Sequence, residues 1–188
     1  MDISLKEYFN RFHRLPLDAE DAIDEICSYQ KLKKNALLQP IGYTCRTIYF
    51  ITKGLARIFY LKDGIDVTES FAFEQQIIVR VESLFTGKPS RKGIQVLEDS
   101  DITAIDANAL FELYDRFPDI ERLFRKIFEA SHVETVHRIE SIQFHTADER
   151  YRELLEEAPD LLKRVPLKYI ASYLGITQSS LSRIRALR

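Results

Sequence analysis

The chain has 188 residues, of which 45% are hydrophobic and 30% charged, a composition typical of a globular protein with a packed core. No stretch approaches the roughly 18 consecutive apolar residues that a membrane span requires, so we expect a cytoplasmic protein that does not bind membranes. The two cysteines, Cys27 and Cys45, are too few for a disulfide framework or a four-cysteine metal site, and we expect both to be small buried residues. We predict no metal site and no cofactor.

Charge is distributed unevenly along the chain. From Leu161 to the last residue there are six basic residues and no acidic one, whereas the rest has 21 basic and 29 acidic residues. Basic charge confined to one end is typical of a protein that binds a polyanion there. Because a solvated surface can have the same composition, the assignment depends on residue spacing.

Helical periodicity comes first, between Leu5 and Ile26, where we predict one or two short helices. Up to about Ile105 the apolar residues are then β-branched and aromatic, in short runs that predict strands. These runs are 47–51, 56–61, 67–73, 77–79 and 102–105. Asp63-Gly64 between two of them is a strong hairpin signal, because glycine adopts the positive φ of a tight turn. Many short strands at regular spacing predict an antiparallel β-roll.

A helical period returns after Pro118 and continues to about His145 without a proline or glycine. Such a helix is about 40 Å long at roughly 1.5 Å per residue, which exceeds the depth of a small roll. We therefore predict that part of it contacts a second copy of the chain, and a core helix within one chain is the alternative. The residues predicted for the dimer interface are Leu123, Ile127, Ala130, Glu134 and His137.

Residues 165–185 have the spacing of a helix-turn-helix. Apolar residues at i, i+3, i+4 and i+7 predict a first helix that starts at Pro166. They are Leu167, Ile170, Ala171 and Leu174. Gly175 is placed to end this helix in the left-handed conformation, and Thr177 to cap the next one. Leu181 continues the apolar core on the second helix, as a helix-turn-helix requires.

The outward positions of the second helix suit the major groove of duplex DNA. Glutamine bonds adenine, arginine bonds guanine, and serine contacts a base or a phosphate. Lys168, Ser180 and the amides at the helix start suit phosphates. The predicted DNA-binding residues are Lys168, Thr177, Gln178, Ser179, Ser180, Ser182, Arg183 and Arg185. A helical hairpin with a solvated basic face is the alternative.

These segments resemble the Crp/Fnr superfamily of bacterial transcription regulators over nearly the whole chain. Residues 48–57 with Asp63-Gly64 look like its cyclic-nucleotide-binding β-roll, and residues 171–177 with 181–183 look like its helix-turn-helix. The resemblance implies an α+β fold: a jelly-roll-like antiparallel β-roll with flanking helices, a long dimerisation helix and a C-terminal helix-turn-helix. The implied parts are a sensor-like roll (1–117), the dimerisation helix (118–146) and the DNA-binding domain (147–188).

The resemblance also implies partners. A homodimer would bind a roughly palindromic operator in double-stranded DNA, with Gln178, Ser179 and Arg183 as the principal base readers. RNA polymerase and an unidentified small-molecule effector are further candidate partners. Residues 157–165 are too few for the family's β-hairpin wing, so DNA contact would depend on the helix and its basic flanks.

The sequence departs from the family at the effector site. Members that bind cyclic nucleotide have a Gly-Glu pair and then an arginine followed by serine or threonine. Here Val81-Glu82 replaces Gly-Glu, and Arg91 follows Ser90 one residue late, so on a strand it would face the opposite side. These departures argue against cyclic nucleotide and predict a degenerate pocket or one altered for another effector. Its candidate residues are Arg80, Glu82, Ser83, Ser90 and Arg91.

Two other classes of function are alternatives. A cupin-like enzyme needs histidine ligands on its strands, and all four histidines lie outside the predicted strands, so we predict no enzyme. A dimeric scaffold whose basic tail contacts an acidic partner also fits the charge distribution. Dependence of binding on DNA sequence and on salt would distinguish the regulator from this scaffold.

Overall fold

The structure, a computed structural model, describes residues 4–186. Its helices are α1 (Leu5–Asn10), α2 (Leu17–Glu25), α3 (Val81–Thr86), α4 (Ala107–Arg116), α5 (Pro118–Phe144), α6 (Ala147–Glu157), α7 (Leu161–Arg164), α8 (Leu167–Tyr173) and α9 (Gln178–Ala186). Its strands are β1 (Cys27–Leu32), β2 (Leu37–Gln39), β3 (Thr47–Lys53), β4 (Ala56–Lys62), β5 (Ile65–Ala72), β6 (Ile77–Ile78), β7 (Gly93–Val96) and β8 (Ser100–Asp106). The ends of the predicted roll and of the predicted DNA-binding domain, 1–3 and 187–188, lie outside the described residues.

The strands form a roll of two four-stranded antiparallel sheets. One sheet has the order β1-β8-β3-β6 and the other has the order β2-β7-β4-β5. Buried side chains from both sheets, among them Ile51 and Ile94, fill the space between them. Each of the five predicted runs overlaps a strand, and the predicted α+β fold with an antiparallel roll is confirmed.

The β4–β5 hairpin has two local features that matter for the site. Asp63 and Gly64 have φ values of 53° and 77°, so the predicted tight turn is present. Farther along, Ile58 pairs with Ser70 and Phe59 pairs with Thr68, which leaves Glu69 without a cross-strand partner. This β-bulge changes the direction of the side chains beyond it.

Helix α5 has 27 residues, as its uninterrupted period predicts. Its first half packs against the roll and the N-terminal helices, and this corrects part of the predicted dimer interface. Leu123 and Ile127 are 0% and 4% exposed, because the broad apolar stripe covers the chain's own core. Ala130 is half-buried, whereas Glu134 and His137 are exposed.

The second half of α5 has large apolar side chains that remain largely exposed among the described residues. They are Val133, Val136, Ile139, Ile142 and Phe144. None of the described helices combines the length and the apolar composition needed to cross a bilayer.

Candidate nucleic-acid interface

A glycine turn joins α8 to α9. The amide of Gly175 donates to the Ser172 carbonyl at 3.1 Å, and the amide of Ile176 donates to the Ala171 carbonyl at 3.0 Å. These two bonds form a Schellman motif, which requires the left-handed φ of 71° that Gly175 has. The predicted turn is therefore present, and it satisfies carbonyls that the end of α8 would leave unpaired.

Thr177 caps α9, as its position predicts. Its hydroxyl oxygen accepts a hydrogen bond from the Ser180 amide at 3.2 Å and lies 2.9 Å from the hydroxyls of Ser179 and Ser180. This network fixes the first turn of α9. The Thr177 hydroxyl is thus already used in capping.

Buried side chains hold the two helices together. Ile170, Ala171 and Leu174 of α8 are buried with Leu181 of α9, and Leu154 of α6 belongs to the same cluster. Because Leu181 lies on the inner side of α9, the opposite side of the helix faces solvent.

The predicted base-reading residues lie on this solvent side. Gln178, Ser179, Ser182, Arg183 and Arg185 are exposed, as is Lys168 on α8, and Ser180 is half-buried. The Ser182 hydroxyl donates to the Gln178 carbonyl at 3.0 Å within the helix. No carboxylate of residues 4–186 forms an ion pair with Arg183 or Arg185, so both guanidinium groups are available to an anionic partner.

Other basic residues at this end of the chain are already paired. Arg164 donates to Glu74 and Glu98, each at 2.6 Å, and Lys163 donates to Asp160 at 2.7 Å. The hydrogen bond with Glu98 and the bonds with Glu74 raise the pKa of Arg164 despite its burial. The basic surface around α9 is therefore smaller than the sequence count indicates.

The segment 157–165, predicted to be too short for a β-hairpin wing, contains helix α7 and Arg164, which pairs with Glu74 and Glu98. In the part of the chain that the structure describes, no strand follows β8. The contact between α7 and the roll through Arg164 was not predicted, because Glu74 and Glu98 are distant in sequence.

The five predicted effector residues differ in exposure and in bonding. Glu82 and Arg91 are exposed. The Ser83 hydroxyl accepts from the Cys45 amide at 2.9 Å and donates to the Lys88 carbonyl at 2.5 Å, and the Ser90 hydroxyl donates to the Lys92 carbonyl at 2.8 Å. Both serines thus support the local backbone, and the grouping of the five residues into an effector pocket stays a prediction.

Arg80 instead belongs to an ion-pair cluster with two partly exposed residues that sequence reasoning missed. Glu69 accepts from the Arg80 guanidinium at 3.3 Å and from the Lys92 ammonium at 2.7 Å. Arg80 is buried, and its Nε has no partner among the described residues. Lys92 could have been found from alternation, because it lies two residues before Ile94, whose side chain faces the interior of the roll.

No protein-family model matches the chain, and no curated protein matches its sequence. Solved structures do match. FixK2 from Bradyrhizobium japonicum superposes with a TM-score of 0.74 at 16% identity, over 86% of this chain and 84% of its own. A transcriptional regulator of the Crp/Fnr family from Eubacterium rectale also gives 0.74, at 17% identity, over 92% and 83% of the two chains. A CooA variant from Carboxydothermus hydrogenoformans gives 0.68 at 18% identity, over 99% and 84%. At these identities the likeness establishes the architecture, so the chain has the fold of the Crp/Fnr regulators.

Proposed function

We propose that the protein is a cytoplasmic DNA-binding transcription regulator of the Crp/Fnr type. The observation that carries this proposal is α9, which is capped, packed through Leu181 and exposed along a face of glutamine, serine and arginine. Such a helix fits the major groove, where these side chains bond base edges. The proposed parts are the sensor-like roll (1–117), the dimerisation helix (118–146) and the DNA-binding domain (147–188).

We propose a homodimer formed by the second half of α5. Val133, Val136 and Ile139 fall within about 120° of the helix circumference, since each residue advances roughly 100°. A contiguous apolar face on a charged helix is typical of a protein contact. A two-fold axis at this face would pair two α9 helices with the two halves of a roughly palindromic operator.

We propose that the effector pocket is degenerate. A cyclic phosphate needs an unpaired cation and closely approaching backbone amides. Here Glu69 already bonds Arg80 and Lys92, and Ser83 and Ser90 are bonded to the backbone. A bound anion would have to displace the Glu69 carboxylate, which supports a regulator that does not require cyclic nucleotide.

Selection from a random duplex library tests the DNA-binding proposal. We expect an enriched, roughly palindromic motif. Arg183→Ala should cost about 1–3 kcal/mol at one base-pair position, because a bidentate contact to guanine is lost. Lys168→Ala should weaken binding to all sequences alike and reduce the salt slope by about one unit.

Lys31→Ala is the matched control, since Lys31 is exposed on β1, outside the helix-turn-helix. This variant should bind like the wild type. If no duplex motif is enriched and the three variants behave alike, the proposal is wrong and the dimeric scaffold with a basic tail replaces it.

A further inference from the structure

We propose that the roll fixes the orientation of the helix-turn-helix through Arg57, Tyr169 and Ser172, and thereby sets the spacing of the two DNA half-sites. The inference rests on the proposed function and deepens it. Arg57, Tyr169 and Ser172 act here as positioning residues, and none of them lies on the exposed face of α9.

Arg57 of β4 is the roll's side of the contact. It is 1% exposed, and its nitrogens are all directed to partners within the roll. Two donate to the Asp66 carboxylate at 2.6 Å each, two donate to Gln95 at 2.9 and 3.1 Å, and one also donates to the Thr68 hydroxyl at 3.0 Å. Because these bonds lie in the guanidinium plane, its position is fixed and its flat face remains available for stacking.

Tyr169 of α8 covers that face. Its ring centroid lies 3.7 Å from the Arg57 guanidinium carbon, a cation–π contact shielded from solvent by the burial of the arginine. The Phe59 ring lies on the same guanidinium at 4.6 Å. Arg57 therefore links the outer surface of the roll directly to the first helix of the helix-turn-helix.

Ser172 provides a second link, one turn farther along α8. Strand β5 is at the edge of its sheet, and its Thr68 amide donates to the Ser172 hydroxyl at 3.0 Å. That hydroxyl donates in turn to the Tyr169 carbonyl at 2.9 Å. Phe71 of β5 and Tyr173 of α8 add a ring contact at 5.2 Å, so two contacts hold α8 along the edge strand.

The C-terminal end of α8 is also held by other helices. The Arg138 guanidinium of α5 lies 3.8 Å from the Tyr173 ring centroid and donates to the Tyr173 carbonyl. Arg150 of α6 donates to the Leu174 carbonyl at 2.9 Å. Since α9 follows α8 after a short glycine turn, the orientation of α9 depends on these contacts.

A fixed orientation has a consequence for operator geometry. Successive half-sites that face the same side of B-DNA are about 34–36 Å apart, and one base pair changes this distance by roughly 3.4 Å and turns the groove by about 35°. A rigidly mounted α9 tolerates such a change poorly, whereas a tethered α9 would adapt to it. The contact therefore predicts a sharp preference for one half-site spacing.

The test uses the selected operator and versions with one or two base pairs inserted or removed between its halves. Wild-type protein should lose about tenfold or more in affinity at the altered spacings. Tyr169→Leu removes the cation–π face, and Ser172→Ala removes the bond to β5. Each should bind the best operator more weakly and show a spacing preference reduced to about threefold or less.

Two controls separate positioning from general damage. Tyr169→Phe keeps the ring over Arg57 and should keep the wild-type spacing profile. Tyr43→Leu is the same substitution at an exposed site, and it should also keep the wild-type spacing profile. A uniform loss of affinity at every spacing in Tyr169→Leu, or a wild type without spacing preference, would overturn the inference.

Amide hydrogen exchange tests the same contact without DNA, so its result does not depend on the proposed function. In Tyr169→Leu the amides of α8 and α9 should exchange about tenfold faster or more, while those of β3 and β8 stay protected. Tyr169→Phe should match the wild type. Unchanged exchange in α8 would refute the contact even for a protein that binds DNA, and failure to enrich a duplex would refute only the regulator.

Discussion

The outward face of α5 provides a direct test of the proposed dimer through the substitution Ile139→Glu. Ile139 is 49% exposed in the single chain. Burying a whole isoleucine side chain contributes roughly 1.5–3 kcal/mol, so covering its exposed half in a dimer contributes about 1 kcal/mol per copy. In a symmetric dimer both copies have the substitution, so the effect occurs twice. Ile139→Glu should therefore reduce the free energy of dimerisation by about 2 kcal/mol, which raises the dissociation constant about 30-fold. Desolvation of the two carboxylates would raise it further.

Analytical ultracentrifugation over a range of concentrations measures this change, and Leu17→Glu is the matched control on α2, where Leu17 is also exposed. The control should leave the dissociation constant unaltered. The same dissociation constant for Ile139→Glu and wild type, or an equal effect of the two substitutions, would refute the assignment of this face to the dimer.

Two further predictions concern the region that supports α9. Leu181→Ala should lower the free energy of unfolding by about 2–5 kcal/mol in urea titrations, because truncating a fully buried side chain leaves a cavity. The control Leu61→Ala, on the exposed hairpin, should lower it by less than about 0.5 kcal/mol. Similar values for both variants would contradict the packing of α9. Burial raises the pKa of Glu74, but hydrogen bonds from Arg164 and from backbone amides outweigh it and leave the pKa lowered. The stability from this pair is thus complete above about pH 4.3 and is lost as pH falls through the lowered pKa. The melting temperature of wild type should exceed that of Glu74→Gln at pH 7, and the difference should shrink toward pH 3.5; a difference independent of pH would contradict this linkage.

Local patterns predicted most of the regular elements. The hairpin at Asp63-Gly64, the 27-residue α5 and the turn at Gly175 each depend on near neighbours in sequence, so the spacing of residues was sufficient. Strand β1 was missed because its four central residues are exposed and mostly polar, which gives no alternation. Helix α4 was missed although it has a clear apolar side and an Asp106 cap, because it follows β8 without a break.

The long-range contacts could not be predicted in the same way. Leu123 and Ile127 have the spacing expected of a dimer interface, but the same apolar stripe can also pack against the chain's own core. Only the three-dimensional packing distinguishes a dimer interface from an internal contact. Arg57 and Tyr169 are more than a hundred residues apart, and a bulge that no residue pattern marks leaves Glu69 without a cross-strand partner. The candidate DNA-binding face was accessible to sequence reasoning because one helix contains it, whereas the ion pairs of Glu69 with Arg80 and Lys92 join segments that are distant in sequence.

The position of α8 along β5 also bears on the solubility of the roll. An uncovered edge strand presents unpaired amides and carbonyls to other chains and favours aggregation by strand pairing. The Ser172 hydroxyl accepts a hydrogen bond from one such amide, that of Thr68. The Tyr173 ring of α8 lies against Phe71 and shields the neighbouring stretch of the strand. Proteolytic removal of the last helices would bare this edge, so the isolated roll should self-associate into sheet-rich oligomers even when its own core is intact.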